Sequence, residues 1–340
     1  MRTNKGIIAA IAAMGLLGMA ACSNTPVTTE PAGSPSAPSA PAETTSTKPK
    51  IAALLWSQGF EFMVALADGI EQKAEELGVE VVVLDAQGNS STQISQIQDQ
   101  LALGVDAIVL APNNSDELVP GVQMIQEAGK KVVTVDAIVT GEIADAAVAF
   151  NNEEAGKMAA DELARLMGDK GTALEFEGAK GAYHAVLRGN GFKAGMATHT
   201  GIELISRDAQ WTADNALTIT VDGFTANPNI SGLFTHNDEM VRGVISGLEQ
   251  IDKAAKVGEP GHVPLVGVDG TPLALERIKA GTQDATVNQD PYVMGALALE
   301  TAVKVLNGES VEKLQLTPPS LITKDNVDDA SLWGNVFGKQ

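Results

Sequence analysis

The chain has 340 residues, 23 Lys and Arg against 43 Asp and Glu for a formal net charge of −20, and a single cysteine. That length exceeds the roughly 100–200 residues of one domain. The acidity repels phosphate backbones and excludes nucleic-acid binding through a basic surface, and one cysteine excludes a disulfide framework or a cysteine-rich metal site.

Arg2 and Lys5 precede an apolar run from Ile7 to Ala21. The run is too short to span a bilayer comfortably but has the length of a signal-peptide core. It ends in Met19-Ala20-Ala21-Cys22, small residues before the only cysteine. This stretch resembles the bacterial lipobox, which implies a leader over residues 1–21 and lipidation of Cys22. Of the 28 residues from 23 to 50, 21 are Ser, Thr, Pro or Ala. They offer too little apolar surface to fold, so residues 22–50 read as a lipidated cysteine with a disordered tether. The expected address is the outer face of the cell membrane, or the periplasm of a cell with two membranes.

From Ile51 short apolar runs alternate with helical patterns. The expected strands are 51–57, 79–86, 106–112 and 131–137, with helices at 62–77, 92–103 and 115–128. Each helix is followed by glycine at the stop position, Gly78, Gly104 and Gly129. Phe62, Leu66, Ile70, Ala74 and Leu77 form one stripe at helical spacing, and Ser90-Ser91-Thr92-Gln93 reads as a capping box. Ala107–Leu110 lacks polar alternation, as a strand covered on both faces does. The pattern then restarts, with strands at 146–150, 172–177, 201–206, 231–236 and 264–268 and helices at 153–167, 182–197, 212–224 and 238–251. Pro272 and Pro291 stand where first helical turns begin, and the last strong helix is 291–306. Alternation of this length predicts a doubly wound α/β fold. About ten strands are better placed in two parallel sheets than in one.

In such sheets ligands bind beyond the carboxyl ends of the strands. The residues there share a chemistry. Asp136 and Asp269 accept hydrogen bonds, Arg188 donates a fork of them, and Asn237 and Gln289 do both. Trp56, Phe60, Phe62 and Trp211 offer flat apolar faces. A sugar or polyol needs this mixture, planar polar groups for vicinal hydroxyls and rings for C–H faces.

These residues resemble the type I periplasmic sugar-binding proteins, in particular the ribose binders, over essentially all of residues 51–325. The most specific stretches are Val83-Leu84-Asp85, Thr134-Val135-Asp136, Arg188-Gly189-Asn190-Gly191-Phe192, His236-Asn237-Asp238-Glu239-Met240 and Val266-Gly267-Val268-Asp269-Gly270-Thr271. The resemblance implies capture of a small sugar between two lobes and delivery to an ABC importer. It implies ligand contacts by Asp136, Arg188, Asn237, Asp269 and Gln289, with Trp211 and Phe62 as stacking rings. It also implies three crossings between lobes, near 150–151, 289–290 and 317–319. One lobe is then 51–150 plus 290–318, and the other 151–289 plus 319–340.

Four departures fall in the first lobe. Phe60 replaces an Asn, Met63 an aromatic, Ala111 an Asn and Ala137 an Arg. A buried hydroxyl left unpaired costs roughly 1–3 kcal/mol, so the site is not expected to hold ribose as the ribose binders do. Trp56 can add a face, and Glu61 an acceptor if the loop register differs by one. A short polyol or deoxysugar is the expected ligand.

Other chemistries find less support. Gly189-Asn190-Gly191 lies inside a helical pattern, unlike a dinucleotide fingerprint. The four histidines, His184, His199, His236 and His262, show no metal spacing, and no nucleophile elbow is present. Neither cofactor, metal nor enzymatic activity is expected. A monomer is expected, with the ligand, an ABC permease and, through Cys22, a membrane as partners. A sensory receptor for a sugar or polyol, acting through a membrane signalling partner, is the alternative.

Overall fold

The computed structural model describes residues 48–338. The expected leader, Cys22 and most of the tether lie outside the described residues. The first strands and helices are β1 (Lys50–Leu55), α1 (Glu61–Leu77), β2 (Glu80–Asp85), α2 (Ser90–Ala102), β3 (Ala107–Leu110), α3 (Val119–Glu127), β4 (Lys131–Asp136) and β5 (Ala146–Phe150). There follow α4 (Asn152–Met167), β6 (Gly171–Glu177), α5 (Tyr183–Met196), β7 (Ile202–Asp208), α6 (Ala213–Ala226), β8 (Ile230–Thr235), α7 (Asp238–Gln250) and β9 (Leu265–Asp269). The chain closes with α8 (Pro272–Ala280), β10 (Ala285–Asn288), α9 (Pro291–Leu306), β11 (Leu314–Thr317), β12 (Ser320–Thr323) and α10 (Trp333–Val336).

The strands form two six-stranded sheets, in the orders β11-β5-β4-β3-β1-β2 and β12-β10-β9-β8-β6-β7. All pairings are parallel except that of β10 with β12. The two sheets repeat one winding, so β4 of the first corresponds to β9 of the second. The chain passes between sheets after β5, between β10 and β11, and between β11 and β12. Helix α9 follows β10 of the second sheet yet packs on α1, β4 and β5 beside the first.

Helices cover both faces of each sheet, which is why the inner strands carry no polar alternation: Ala107–Leu110 is wholly buried. Gly78, Gly104 and Gly129 take left-handed backbone after their helices, with φ of 67°, 78° and 71°. The capping box at Ser90 is corrected. Asn89 is the N-cap, its side chain accepting from the Thr92 N–H at 2.9 Å. Gln93 is buried instead, donating to the Leu54 and Ala111 carbonyls and accepting from Asn113 N–H, so it ties together the ends of β1 and β3. The helix expected from residue 115 begins at Val119, because Asn114 first folds the chain into a turn by accepting from the N–H groups of Asp116 and Glu117.

Helices α4 and α5 meet backbone to backbone, and this contact explains the glycines around Arg188. A Cβ on Gly191 would stand 2.0 Å from the Glu153 carbonyl oxygen, and one on Gly156 would stand 2.1 Å from that of Arg188. Only glycine permits this approach. It brings Arg188 beside the first turn of α4, where the chain has just entered the second sheet.

Candidate functional site

All ten residues expected to touch a ligand line one cavity of about 240 Å³ at the carboxyl ends of the strands. Trp56 follows β1, Phe60, Phe62 and Met63 begin α1, and Asp136 ends β4. Arg188 projects from α5 and Trp211 follows β7, while Asn237, Asp269 and Gln289 stand at the ends of β8, β9 and β10. Ala111 and Ala137, the two small residues among the four departures, are buried but do not line the cavity. Their short side chains leave the lining to Trp56 and the start of α1.

The first-sheet side is mainly apolar. Trp56 and Phe60 pack with ring centroids 4.9 Å apart, and Met63 is fully buried beside them. Phe60 is the N-cap of α1, and unlike Asn151, Thr212, Asn237, Thr271 and Asp290 at other helix starts it makes no capping hydrogen bond. Such a position ordinarily favours a small polar residue by roughly 0.5–2 kcal/mol. A phenyl ring there gives up helix stability to line the cavity. Glu61, in the first turn, lies where the helix dipole favours a carboxylate. Its pKa is raised by burial, then by Glu239 across the cleft, while Arg277 lowers it.

Asp136 and Asp269 occupy equivalent places, the ends of β4 and β9, and both take positive φ, 68° and 124°. Such backbone costs a non-glycine residue on the order of 1–3 kcal/mol and is held by its surroundings. Burial raises the Asp136 pKa from 3.8 to about 6, while Arg188 and hydrogen bonding by Gln289 and Trp56 lower it. The Trp56 N–H is turned towards this carboxyl but makes no hydrogen bond of good geometry. Asp269 is raised well above its ordinary value by burial first and by the nearby Asp238 second. Asp238 is buried under the site and fixes the loop that carries Asp269. It accepts from Gly270 N–H, Thr271 N–H, the Gln283 amide and the Thr286 hydroxyl.

Arg188 is 2 % exposed, and its charge lowers the pKa of both aspartates. Its Nε and Nη2 both donate to Asn152 Oδ1, at 3.1 and 2.7 Å. Nη2 also donates to Gln289 Oε1 at 2.9 Å, and Nη1 to the His236 carbonyl. Gln289 in turn donates to Asp136 Oδ1 at 3.2 Å. The fork expected for a ligand is therefore mostly committed to the protein, with one of its five N–H bonds left over. Asn152, Arg188, Gln289 and Asp136 form a chain of hydrogen bonds from the second-sheet side to the first. Asn237 caps α7 through Oδ1, which accepts from Met240 N–H at 3.0 Å, leaving its Nδ2 donors and one Oδ1 lone pair for a ligand.

Beneath the floor, His236 Nδ1 accepts from Gly178 N–H at 3.2 Å, so Nε2 carries the proton and donates to Glu175 at 2.9 Å. This neutral histidine holds Gly178 against Trp211.

Among the residues that the sequence does not mark as part of the site, His184 and Trp333 matter most. His184 falls in the strand-end stretch 178–188 without a signal of its own, yet it lines the cavity and stacks on Trp211. Its spacing of four from Arg188, which puts both on one helix face, is a signal that could have found it. Trp333 gave no local signal. Its Nε1 donates to the Asp269 carbonyl at 2.7 Å, and its ring meets Phe62 edge-on at 6.4 Å.

The family model described as a periplasmic binding protein domain matches residues 51–310. The chain belongs to the periplasmic binding protein family. The ribose import binding protein of Salmonella typhimurium is 33% identical over 265 residues, covering 78% of this chain and 87% of that protein. The xylitol-binding protein of Mycolicibacterium smegmatis is 29% identical over 327 residues, or 96% of this chain and 87% of the other. An ABC transporter periplasmic solute-binding protein from Actinobacillus succinogenes, solved with bound D-allose, superposes with a TM-score of 0.77 at 29% identity, covering 83% of this chain and all of that one. As a periplasmic binding protein, the chain is a binding component rather than an enzyme, and its two mostly parallel α/β sheets are those of the type I members.

The raised aspartate pKa values set an expected pH dependence. A carboxyl whose folded-state pKa exceeds its unfolded value stabilises the fold as pH falls from about 6 towards 3.8 and contributes nothing of that gain above 6. For a ligand hydroxyl that donates to the carboxylate, the same protonation removes an acceptor. For Asp136, affinity is expected to weaken several-fold between about pH 7 and pH 5. Calorimetry across that range checks it, and an unchanged affinity at pH 5 would show that the Asp136 carboxylate is not a ligand acceptor.

Proposed function

We propose that this protein is an extracytoplasmic solute-binding protein that captures a small sugar or sugar alcohol between two lobes and delivers it to an ABC permease. The lobes are residues 51–150 with 290–318 and residues 151–289 with 319–340, closing by a hinge at the three chain crossings. In this reading Cys22 is lipidated, residues 1–21 are removed, and the tether lets the binding domain reach both solute and permease from the outer face of the membrane. Cleavage also removes Arg2 and Lys5 and leaves the mature chain more acidic.

One observation carries the ligand reading, the asymmetry of the cavity walls. Trp56, Phe60, Phe62 and Met63 form one side, with Asp136 as its buried acceptor and Glu61 at its edge, while the other is richer in polar groups, with Asn237, Asp269 and the remaining N–H of Arg188 beside the stacked rings of Trp211 and His184. A ligand matched to these walls crowds its hydroxyls on one side and presents C–H surface or little bulk to the other. A short open-chain polyol achieves this by rotating its hydroxyls, at a cost in rotational entropy. Ribose, with hydroxyls around a ring, meets the apolar wall. The relatives named for ribose and xylitol and the neighbour solved with allose bracket this choice.

The expected result is that a four- or five-carbon sugar alcohol, or a sugar poor in hydroxyls on one face, binds more tightly than ribose. A thermal-shift screen followed by calorimetry tests this. Preference for ribose over every polyol would overturn the ligand class, and absence of binding across the panel would overturn the function.

A further inference from the structure

We propose that His184 selects the shape of the ligand by occupying the face of Trp211 on which a ring-shaped sugar would stack. The inference rests on the sugar or polyol reading above and names the residue that divides the two. His184 lies one helical turn before Arg188 on α5, so the two side chains share the face turned to the cavity. Its imidazole is stacked on the Trp211 indole, with centroids 4.7 Å apart and planes 28° from parallel. That is the separation and tilt at which a flat apolar ligand face would sit on the ring.

Trp211 has little freedom to move out of this stack. Its backbone is in the left-handed region, with φ of 65°. Its far edge lies so close to Gly178 that a Cβ there would stand 2.2 Å from the indole. The Arg188 guanidinium carbon also lies over the ring, 6.0 Å from its centroid. The indole is therefore a fixed platform, and the imidazole covers it.

His184 has no hydrogen bond to fix it at Nδ1, which is buried without a protein partner. Stacking and packing hold the ring in place. Burial, with Arg188 and His236 nearby, keeps it neutral by lowering its pKa to about 3. It is thus an uncharged plug rather than a cation competing with Arg188. A pyranose that stacks on Trp211 has to displace it. An open-chain polyol lying between Asp136 and Asp269 leaves it in place.

The test uses the full chain with His184→Ala and His184→Phe, titrated calorimetrically with xylitol, D-ribose and D-allose. Removing one well-packed group from a pocket shifts discrimination by roughly ten- to two-hundredfold. His184→Ala is expected to raise affinity for the ring-forming sugars relative to xylitol by at least about tenfold. His184→Phe restores the plug without its nitrogens and is expected to keep the wild-type ratio within about threefold. A wild-type ratio in His184→Ala, with both classes still bound, overturns this inference alone. The same shift in His184→Phe as in His184→Ala also overturns it, because bulk would then not be the cause. Failure of the wild type to bind any of the three overturns this inference together with the functional reading beneath it.

Discussion

Arg188→Ala is expected to lower unfolding stability by about 3 kcal/mol or more and to abolish measurable ligand binding. The side chain is buried, and its removal leaves three acceptors without their donor: Asn152 Oδ1, Gln289 Oε1 and the His236 carbonyl. It also removes the positive charge that lowers the pKa of both Asp136 and Asp269. The hydrogen-bonded chain from Asn152 to Asp136 loses its middle link, so the two sides of the cleft lose their register. Arg188→Lys keeps the charge but replaces a planar fork by a point charge on a flexible stem. It is expected to bind ten- to a hundredfold more weakly, about 1.4–2.8 kcal/mol. Urea titration and calorimetry on the three proteins read both effects. Wild-type affinity in Arg188→Ala would place the ligand away from this cavity.

Asp269→Gly is expected to separate function from stability. The carboxylate is an acceptor in the cavity, and leaving a ligand hydroxyl unpaired there costs roughly 1.5–3 kcal/mol, or about ten- to a hundredfold in affinity. The fold, by contrast, gains on two counts. Residue 269 has φ of 124°, which glycine adopts without the penalty an aspartate bears, and the variant removes a carboxyl raised by burial and by Asp238, a gain that outweighs the lost attraction to Arg188 and the lost hydrogen bond from the Asp238 backbone. The backbone carbonyl that accepts from Trp333 is retained. A thermal melt is therefore expected to show an unchanged or higher midpoint while binding weakens. A lowered midpoint with unchanged affinity would make Asp269 a structural residue and refute its role as a ligand acceptor.

These expectations rest on different kinds of information. The strands of the first half and the long helices were legible because each is set by local physics: period-3.6 stripes, buried apolar runs, glycine stops and proline starts. The bounds of β5 and α9 coincide with the expected ones. Strands β10, β11 and β12 and helix α10 were not legible. They are four residues each, too short for a periodic pattern, and form by pairing or packing with segments already in place. The capping box at Ser90 misled for a related reason. Its glutamine had a stronger use, since Gln93 bridges strand ends far away in sequence and satisfies carbonyls that are buried with them.

By itself the sequence determined the α/β winding, the strand-end positions of the polar and aromatic groups, and the residue types available to a ligand. Those follow from chain-local periodicity and from the rule that strand ends face a common crevice. Only the tertiary structure decided how each group is occupied. Arg188 gives most of its donors to Asn152, Gln289 and His236, and His184 covers Trp211. Trp333, from the far end of the chain, secures Asp269. Hydrogen-bond capacity and open ring faces are finite, and their partners lie 36 to 101 residues away for Arg188 and 64 for Asp269. No periodicity records contacts across such separations, because they are settled when the two sheets pack around one cleft.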